Sequence, residues 1–264
     1  MLTIDQELCI RCGTCVQECN DDCLRIEDGE LKYDDSWCIH CGHCLAVCPK
    51  DAIMIDGDGY NIEDVEEFGL LEPTPAAMVR RDIMMRRSER SFADKPVDEN
   101  RINLIIEAAK YAPTAKNCQE NALKVVTDPE ELDALVVDIM EELGKIGKET
   151  MRDNPNLAAF FLRKYQEYAE EKVDGLFYGA PLVFFVFSST DIDGAICAAT
   201  MGRMIEALGL GYVYLRLASE PMNRPELRKK YNLPDDRHCV VALAVGYPES
   251  DYFCSVPRKD LPLL

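Results

Sequence analysis

Long apolar runs and basic charge are both scarce in this sequence. The longest strongly apolar run covers residues 182–187, which is far too short to span a bilayer. The amino terminus lacks the basic and apolar stretches of a secretory signal. Lys and Arg total 29 against 48 Asp and Glu, so the formal charge of −19 repels nucleic acid and anionic membrane surfaces. We therefore expect a soluble, cytoplasmic protein that binds neither nucleic acid nor membrane.

Two familiar sources of chemistry are also missing. The sequence contains no G-x-G-x-x-G fingerprint for a dinucleotide. No Ser–His–Asp or paired-carboxylate constellation is visible either. Neither is needed where a bound redox cofactor carries the chemistry and the protein positions and tunes that cofactor.

Cysteine, in contrast, is abundant at one end of the chain. Nine of the thirteen cysteines fall within the first 48 residues, at metal-ligand spacing rather than in the pattern of a small secreted disulfide scaffold. Residues 9–26 and 38–55 form an internal repeat with an offset of 29, in which Gly13 matches Gly42. Each half carries the run C-x2-C-x2-C-x3-C, so the thiolates are predicted to be kept reduced for a metal.

Over residues 3–56 this repeat resembles the two-cluster bacterial ferredoxins. In such a run three closely spaced thiolates hold one [4Fe–4S] cluster and the fourth thiolate reaches the other cluster. The resemblance therefore implies two clusters with crossed ligand sets, which are Cys9, Cys12, Cys15 and Cys48 for the first and Cys38, Cys41, Cys44 and Cys19 for the second. Structural zinc is the alternative, because paired C-x-x-C motifs also build zinc ribbons.

Three further side chains near these runs are expected to be bystanders. Cys23 aligns with Ala52 in the repeat, which favours a small buried core residue over a ninth ligand. His40 and His43 lie beside predicted ligands and are expected to be solvated. We therefore assign no metal to any of the three.

Beyond a turn-rich, acidic stretch, helical and strand patterns alternate from about residue 74. The predicted elements are helices at about 74–87, from 98, from 128, at 154–175 with irregularities, and at 195–208, and strands at 123–127, 181–187, 212–217 and 239–245, the last two central. The sequence thus predicts an α+β protein with a ferredoxin-like domain at 1–58, a linker at 59–74 and an α/β sandwich at 75–264.

A group of arginines stands out in this acidic chain, namely Arg80, Arg81, Arg86, Arg87 and Arg90. By themselves they would fit a solvated helix face, with the last of them near a helix end. Residues 86–92, R-R-S-E-R-S-F, favour a different role. Planar guanidinium groups and a serine hydroxyl suit a phosphate monoester such as that of FMN.

This motif resembles R-R-S-x-R-x-F of the FMN-dependent nitroreductase family. Residues 112–119, A-P-T-A-K-N-C-Q, are similar to the family's A-P-S-x-x-N-x-Q. L-G-L-G at 208–211 and V-G-Y-P at 245–248 follow in the family's order. The four motifs cover about residues 75–264. The resemblance implies bound FMN, a three-layer α/β sandwich and an intertwined homodimer.

The resemblance also implies roles for individual residues. Those implied to contact the phosphate and ribityl chain of FMN are Arg86, Arg87, Ser88, Arg90 and either Arg258 or Lys259. Those implied to reach the flavin from the neighbouring subunit are Thr114 and Asn117. A strand end implied to line the isoalloxazine ring comprises Tyr214, Leu215 and Arg216. A position in the core of a central strand explains Tyr214 and Leu215 about as well.

Two features of this half depart from a simple assignment. Cys118 lies inside the second motif, where a buried structural thiol is expected more than a thiol that faces the flavin. Residues 141–178 occupy the variable region that covers the substrate in this family. Four of its aromatic side chains are expected to serve helix packing rather than a substrate cage, and they are Phe160, Phe161, Tyr165 and Tyr168.

The combined prediction is an iron–sulfur flavoprotein oxidoreductase. The clusters would deliver single electrons to FMN, and the reduced flavin would pass a hydride or electrons to a small acceptor, nitroaromatic or quinone-like by family resemblance. The alternatives are a non-catalytic electron carrier or redox sensor, and a reductive dehalogenase-like flavin enzyme. Residues 1–56 hold 12 acidic against 4 basic residues, which suits docking to the basic face of an external electron-donor protein.

Overall fold

The computed structural model describes residues 2–66, 68 and 72–263 as two compact units. The first unit runs to Pro73 and also includes Ala115–Cys118. The second unit comprises Thr74–Thr114 and the chain from Gln119 onward. Domain boundaries at 58 and 75 stay a prediction from the sequence. No helix among the described residues is both long and apolar enough to cross a membrane.

The first unit consists of short strands and helices around a small apolar core. Its elements are β1 (Leu2–Ile4), α1 (Thr14–Glu18), β2 (Leu24–Glu27), β3 (Glu30–Tyr33), α2 (His43–Ala46) and β4 (Ile53–Ile55). Strand β1 pairs antiparallel with β4, so that Leu2 faces Ile55, and β2 forms a hairpin with β3. Buried side chains such as Leu24, Leu31 and Ile53 fill the space between them. The ends of the duplicated segment therefore meet in one sheet.

The backbone of this unit confirms the duplication that the sequence predicts. Helices α1 and α2 each follow a left-handed glycine, Gly13 with φ 79° and Gly42 with φ 77°. Two residues earlier, Arg11 and His40 are also left-handed, with φ of 58° and 49°. A side chain at such φ is uncommon and costs energy. The same unusual turn therefore recurs 29 residues apart, once in each cysteine run.

In the described part of the second unit, four strands form one antiparallel sheet with the order β5-β6-β8-β7. The strands are β5 (Ala122–Val126), β6 (Leu182–Ser188), β7 (Gly211–Leu215) and β8 (His238–Gly246). All seven residues of β6 are buried. A central strand covered on both faces reads as an uninterrupted apolar run, which is why β6 and β8 are predictable.

Helices cover both faces of this sheet. They are α3 (Ala76–Met85), α4 (Glu99–Lys110), α5 (Pro129–Thr150), α6 (Pro155–Glu171), α7 (Asp191–Ala207), α8 (Arg216–Met222) and α9 (Pro225–Lys230). Alternate residues of β6 point to opposite faces: Val183 and Phe185 pack with α5 and α8, whereas Leu182 and Phe184 pack with α4 and α7. The result is the three-layer α/β sandwich that the sequence predicts.

Three predicted elements need correction. Strand β7 lies at the edge of the sheet rather than in its centre and ends at Leu215, because α8 begins at Arg216. Helix α7 begins at Asp191 instead of 195, since the Thr190 hydroxyl caps it by accepting the Asp193 N–H at 3.1 Å. Residues 155–171 form one regular helix instead of an irregular one.

Candidate cofactor sites

A first group of four cysteines lines one cavity in the first unit. Three members belong to the first run and the fourth to the second, and they are Cys9, Cys12, Cys15 and Cys48. The remaining wall is largely apolar and includes Ile26, Leu31 and Val47. The fold thus brings together four thiols that are up to 39 residues apart in the chain.

A second group of four cysteines lines another cavity in the first unit. Its members are Cys19, Cys38, Cys41 and Cys44, so three come from the second run and one from the first. The four thiols of each quartet are too far apart to bind one metal ion together: no three His, Cys, Asp or Glu side chains among the described residues are placed to hold one. Both groupings coincide with the predicted crossed sets, although which thiolates bind iron stays a prediction.

Backbone N–H groups point at several of these sulfur atoms. The Cys23 N–H donates to Cys19 Sγ at 3.2 Å, and at the repeat-related position the Ala52 N–H donates to Cys48 Sγ at 3.3 Å. The His40 N–H donates to Cys38 Sγ at 3.4 Å. Such donors stabilise negative charge on sulfur and therefore favour thiolate ligands.

The surroundings of the cysteines shift the pKa values of several of their thiols. Burial raises the pKa of the Cys44 thiol to about 11, and burial followed by the charge of Cys9 raises the pKa of the Cys15 thiol. A hydrogen bond from the Thr14 hydroxyl lowers the pKa of the Cys12 thiol. Four thiolates grouped around one cavity repel one another unless a metal supplies positive charge. This soft, crowded donor set fits an iron–sulfur cluster.

Besides the four cysteines of the second quartet, other polar side chains line the second cavity. Cys23 is buried, as predicted, and also lines this cavity; burial, followed by the charge of Cys19, raises the pKa of its thiol to about 12. His43 is exposed, whereas the ring of His40 is half-buried with its centre 5.9 Å from that of Tyr60. His40 is therefore less solvated than predicted.

Tyr33, the last residue of β3, also lines the second cavity and has no signal in the sequence. Its hydroxyl oxygen is buried and makes no hydrogen bond of standard geometry within the described part of the chain. Burial, and after it hydrogen bonding and charge from Cys38, raises the pKa of the Tyr33 hydroxyl above its ordinary value. The hydroxyl therefore lies close to the Cys38 sulfur.

The segment Ala115–Cys118 belongs to the first unit. The Asn117 side-chain amide donates to the backbone carbonyls of Ile39 and His40 at 3.2 and 3.0 Å. These carbonyls lie between Cys38 and Cys41 of the second quartet. The contact with the flavin of a neighbouring subunit that the resemblance implies for Asn117 stays a prediction. Cys118 is exposed, which corrects the expectation of a buried structural thiol.

In the second unit, the arginine motif follows α3 and runs beside the edge strand β7. Ser88 forms a parallel bridge with Tyr212, whose carbonyl also accepts the Glu89 N–H at 3.0 Å. Phe92 forms an antiparallel bridge with Pro248. Three of the four family motifs, at 86–92, 208–211 and 245–248, therefore meet around one sheet edge.

Glu89 is a functional candidate that the sequence did not single out. It is only 3% exposed, and its Oε1 atom accepts the backbone N–H groups of Arg90 and Ser91 at 3.0 and 3.2 Å. A Cβ atom on Gly211 would come within 2.9 Å of the Glu89 side chain, so a glycine of the third motif makes room for it. This carboxylate holds the turn that presents the motif.

Among the arginines that are predicted to contact the phosphate, Arg86 and Arg90 have guanidinium groups that are not fully engaged by the protein. Arg87 donates to the carbonyls of Met84, Arg86 and Cys254. Arg90 is exposed, with its guanidinium 5.9 Å from the centre of the Tyr178 ring. Arg86 Nη1 is buried and has no hydrogen-bond partner within the described residues. Orphaned guanidinium N–H groups in an acidic protein fit an anionic ligand.

Electrostatics near Arg86 point the same way. Burial raises the pKa of the Glu206 carboxyl above its ordinary value, and the Arg86 charge opposes that rise. No ion pair within the described residues includes Arg86. Its charge is thus only partly offset, which leaves capacity for a phosphate.

The remaining predicted flavin residues have varied surroundings. Tyr214 is 38% exposed and its hydroxyl donates to the Ala198 carbonyl at 3.3 Å, whereas Leu215 is buried in the core. Arg216 is the exposed first residue of α8. Thr114 Oγ1 accepts the N–H of Gln119 at 3.0 Å. Residues 258 and 259 lie in an exposed carboxyl-terminal tail. The flavin role of each stays a prediction.

The region 141–178 contains the second half of α5 and all of α6, which pack against each other. Phe161 is buried, and Tyr165 and Tyr168 are partly buried against the same core. Phe160 is 40% exposed. The packing role expected from the sequence therefore holds for three of the four aromatic residues.

Two family models match this chain. Residues 83–247 match the nitroreductase family, and residues 8–52 match a 4Fe-4S dicluster domain. The second match favours iron–sulfur clusters over the zinc alternative at the two cysteine quartets.

Individual proteins extend these matches. The chain is 28% identical over 180 residues to an NADPH-dependent oxidoreductase of Staphylococcus epidermidis, and the alignment covers 66% of each chain. It is 24% identical over 213 residues to a nitrobenzene nitroreductase of Ectopseudomonas oleovorans, covering 67% of this chain and 88% of the relative. A crystal structure of a nitroreductase with bound FMN from Bacteroides fragilis has the same fold, with a TM-score of 0.56 and 20% identity over 70% of this chain and 94% of that one.

Proposed function

This chain belongs to the nitroreductase family, and from that premise we propose that it is an FMN-dependent oxidoreductase fed by its own iron–sulfur clusters. The two cysteine quartets would hold [4Fe–4S] clusters, which would supply one-electron transfer to FMN bound in the second unit, and FMN would supply the reduction of a small organic acceptor. The observation that carries the proposal is the pair of cysteine quartets, each completed by one cysteine from the other run. A 4Fe-4S dicluster domain fused to a reductase supplies electrons at a high effective concentration.

The arginine motif is the proposed phosphate site for FMN. Arg86 and Arg90 bind the phosphate through guanidinium N–H groups, Ser88 adds a hydroxyl, and Glu89 fixes the turn that carries them. FMN, when bound, supplies the chemistry of hydride or electron transfer to the acceptor. The residues of the chain bind it, orient it and exclude water. The solved relative from Bacteroides fragilis carries bound FMN, which supports the choice of this cofactor.

The proposed acceptor is nitroaromatic or quinone-like. The relative from Ectopseudomonas oleovorans acts on nitrobenzene according to its name, and it aligns with 67% of this chain. The family assignment does not fix the substrate, because one fold hosts many reactions. Nitrobenzene is therefore the first acceptor to test.

The proposed electron source is a low-potential donor protein with a basic face. Residues 1–56 carry 12 acidic and 4 basic residues, a net charge of −8, which steers a basic partner toward the cluster unit. None of the thirteen cysteines forms a disulfide, in keeping with the reducing cytoplasm in which we place the protein. The relative from Staphylococcus epidermidis is named NADPH-dependent, so NADPH is the competing source.

We also propose a homodimer. The carboxyl-terminal tail leaves apolar side chains uncovered within one chain: Phe253 is 92% exposed, Leu261 85% and Leu263 96%. Apolar side chains on this scale favour a partner surface, and a two-fold arrangement covers both tails in equivalent ways.

Anaerobic stopped-flow reduction of the full-length holoprotein tests the proposal. We expect a cationic, low-potential one-electron donor, reduced methyl viologen, to reduce the bound flavin at least tenfold faster than NADPH does. The double variant Cys12→Ala/Cys41→Ala, checked for normal FMN content, should lose the fast phase and keep any slow reduction by NADPH. Equal and fast reduction of both proteins by NADPH would mean that the clusters are not the entry route.

Turnover separates an enzyme from an electron carrier. Reduced holoprotein mixed with nitrobenzene should be reoxidised and should continue to turn over while reductant remains. A single reoxidation without further turnover, or none, would favour a non-catalytic carrier.

A further inference from the structure

The two cysteine cavities differ although the chain around them is duplicated. The offset of 29 places Ile4 at the position equivalent to Tyr33. Tyr33 lines the second cavity, whereas an isoleucine has no hydroxyl to offer the first. The Tyr33 hydroxyl therefore belongs to the second cavity alone and is not a feature that both halves of the repeat share.

The Tyr33 hydroxyl is buried without a well-formed hydrogen bond in the described part of the chain. A buried hydroxyl that has no partner is costly, so such groups in native proteins point to a partner that binds later. Neighbouring groups do not supply one: the Tyr33 backbone pairs with Leu24 in the hairpin, and Gln6 Nε2 donates to the Leu31 carbonyl.

The Cys38 sulfur is the acceptor that fits this hydroxyl. It lines the same cavity and already accepts the His40 N–H at 3.4 Å, and a thiolate sulfur accepts more than one hydrogen bond. As a thiolate ligand, the Cys38 sulfur would be a charged acceptor on the wall that it shares with Tyr33, the last residue of β3.

We propose that the Tyr33 hydroxyl donates a hydrogen bond to Cys38 Sγ and thereby raises the reduction potential of the second cluster. Hydrogen bonds to ligand sulfurs are a principal determinant of cluster potentials. A hydroxyl donor held beside Cys38 Sγ would stabilise the more negative, reduced state of a bound cluster more than its oxidised state. No bond is made or broken and no proton is transferred. Tyr33 is thus a residue that tunes electron transfer and does not touch substrate.

Potentiometric titration of the reconstituted holoprotein, followed by EPR, tests this inference, which rests on the proposed function. Tyr33→Phe removes one oxygen atom and keeps the ring. We expect the one-electron equilibrium of one cluster to shift about tenfold toward the oxidised state, which is 59 mV for one electron, while the other cluster keeps its potential.

Two controls make the result specific. Tyr60→Phe removes a hydroxyl from another half-buried tyrosine of the same unit and should change neither potential. Cys41→Ser should abolish the EPR signal of the second cluster. The reduction potential that is lost with this signal must be the one that shifts in Tyr33→Phe. Loss of an exchangeable-proton coupling from the EPR spectrum of Tyr33→Phe in deuterium exchange would support the same hydrogen bond.

The failure of this inference and that of the proposed function have different signatures. Unchanged potentials in a Tyr33→Phe protein with a full iron content would overturn the role of Tyr33 alone. A shift in the cluster that survives Cys41→Ser would also overturn it. Wild-type protein that takes up no iron and sulfide would overturn both.

Discussion

Arg90 is an exposed cation in a strongly acidic protein, and within the described ranges it forms no ion pair. Its guanidinium lies 5.9 Å from the Tyr178 ring centre. Arg90→Ala removes a proposed phosphate contact and little packing. A charge-assisted hydrogen bond contributes about 1.5–3 kcal/mol, so we expect FMN to bind at least about tenfold more weakly. Fluorescence titration of the apoprotein with FMN measures this.

The matched control for Arg90 is Arg81→Ala. Arg81 is an exposed arginine of α3 and pairs with Asp82 at 3.0 Å. The substitution Arg81→Ala removes one positive charge, as Arg90→Ala does, but at a position outside the R-R-S-x-R motif. An equal loss of FMN affinity in both variants would show that overall charge, rather than a phosphate contact, governs binding.

Glu89 shows where residue-level prediction stops. A glutamate at the variable position of the R-R-S-x-R motif reads as a surface residue, because glutamate is rarely fully buried. Its burial arises only when the motif folds against β7 and Gly211 leaves space for the side chain. A contact that depends on two segments about 120 residues apart leaves no local signal in either.

At the level of elements, buried strands and well-capped helices were predictable. Asp128 accepts the Glu131 N–H at 2.9 Å and begins α5 where the sequence placed it. Residues 212–217 were misassigned because one apolar run contributes to two elements. Leu215 ends the strand, and the apolar residues after it belong to α8, which packs on the same core. Periodicity over so few residues does not separate the two.

The segment Ala115–Cys118 provides a test at this scale. The Asn117 amide makes two hydrogen bonds to carbonyls of the turn that holds Cys38 and Cys41. Asn117→Gly deletes these bonds and accepts the left-handed backbone, φ 53°, without strain. Two such bonds contribute about 1–3 kcal/mol, so we expect a chelator to remove iron from the second cluster about tenfold faster, as measured by optical bleaching with EPR assignment.

Lys116→Gly is the control for this prediction. Lys116 also has a left-handed backbone, with φ 51°, and its side chain is exposed. The same added chain flexibility is therefore introduced without loss of the Asn117 amide. Equal acceleration of iron loss in both variants would attribute the effect to flexibility.

For the whole molecule, the order of the motifs was enough to predict a ferredoxin-like part followed by a nitroreductase-like sandwich, and the family matches and the fold confirm it. Each motif is local, so its place in the chain shows which part it belongs to. The homodimer stays a prediction, because it depends on a surface of a second chain.

The crossing of the cysteine runs leads to a prediction at the same scale. Cys48 lines the first cavity, although the other three cysteines of its run, Cys38, Cys41 and Cys44, line the second. Cys48→Ser should therefore damage the cluster of Cys9, Cys12 and Cys15 and preserve the other, lowering iron below the eight per chain that two such clusters hold. Iron analysis with EPR measures the result.

Cys19→Ser should have the reciprocal effect on the second cluster. Cys23→Ser should keep the full iron content, since Cys23 is expected to be a core residue and not a ligand. Loss of the second cluster alone in Cys48→Ser would contradict the crossed assignment.

The crossed quartets also determine when each group of four cysteines is complete during synthesis of the chain. A ribosome that has released Cys15 must add a further 33 residues before Cys48 emerges and the first quartet is complete, which takes about 2–7 s at ordinary elongation rates. During that interval three thiols with a preference for soft metals stay without their fourth member. On the proposed ligand sets, the second quartet would be complete only at Cys44 and the first only at Cys48, so neither half of the repeat could hold a cluster by itself.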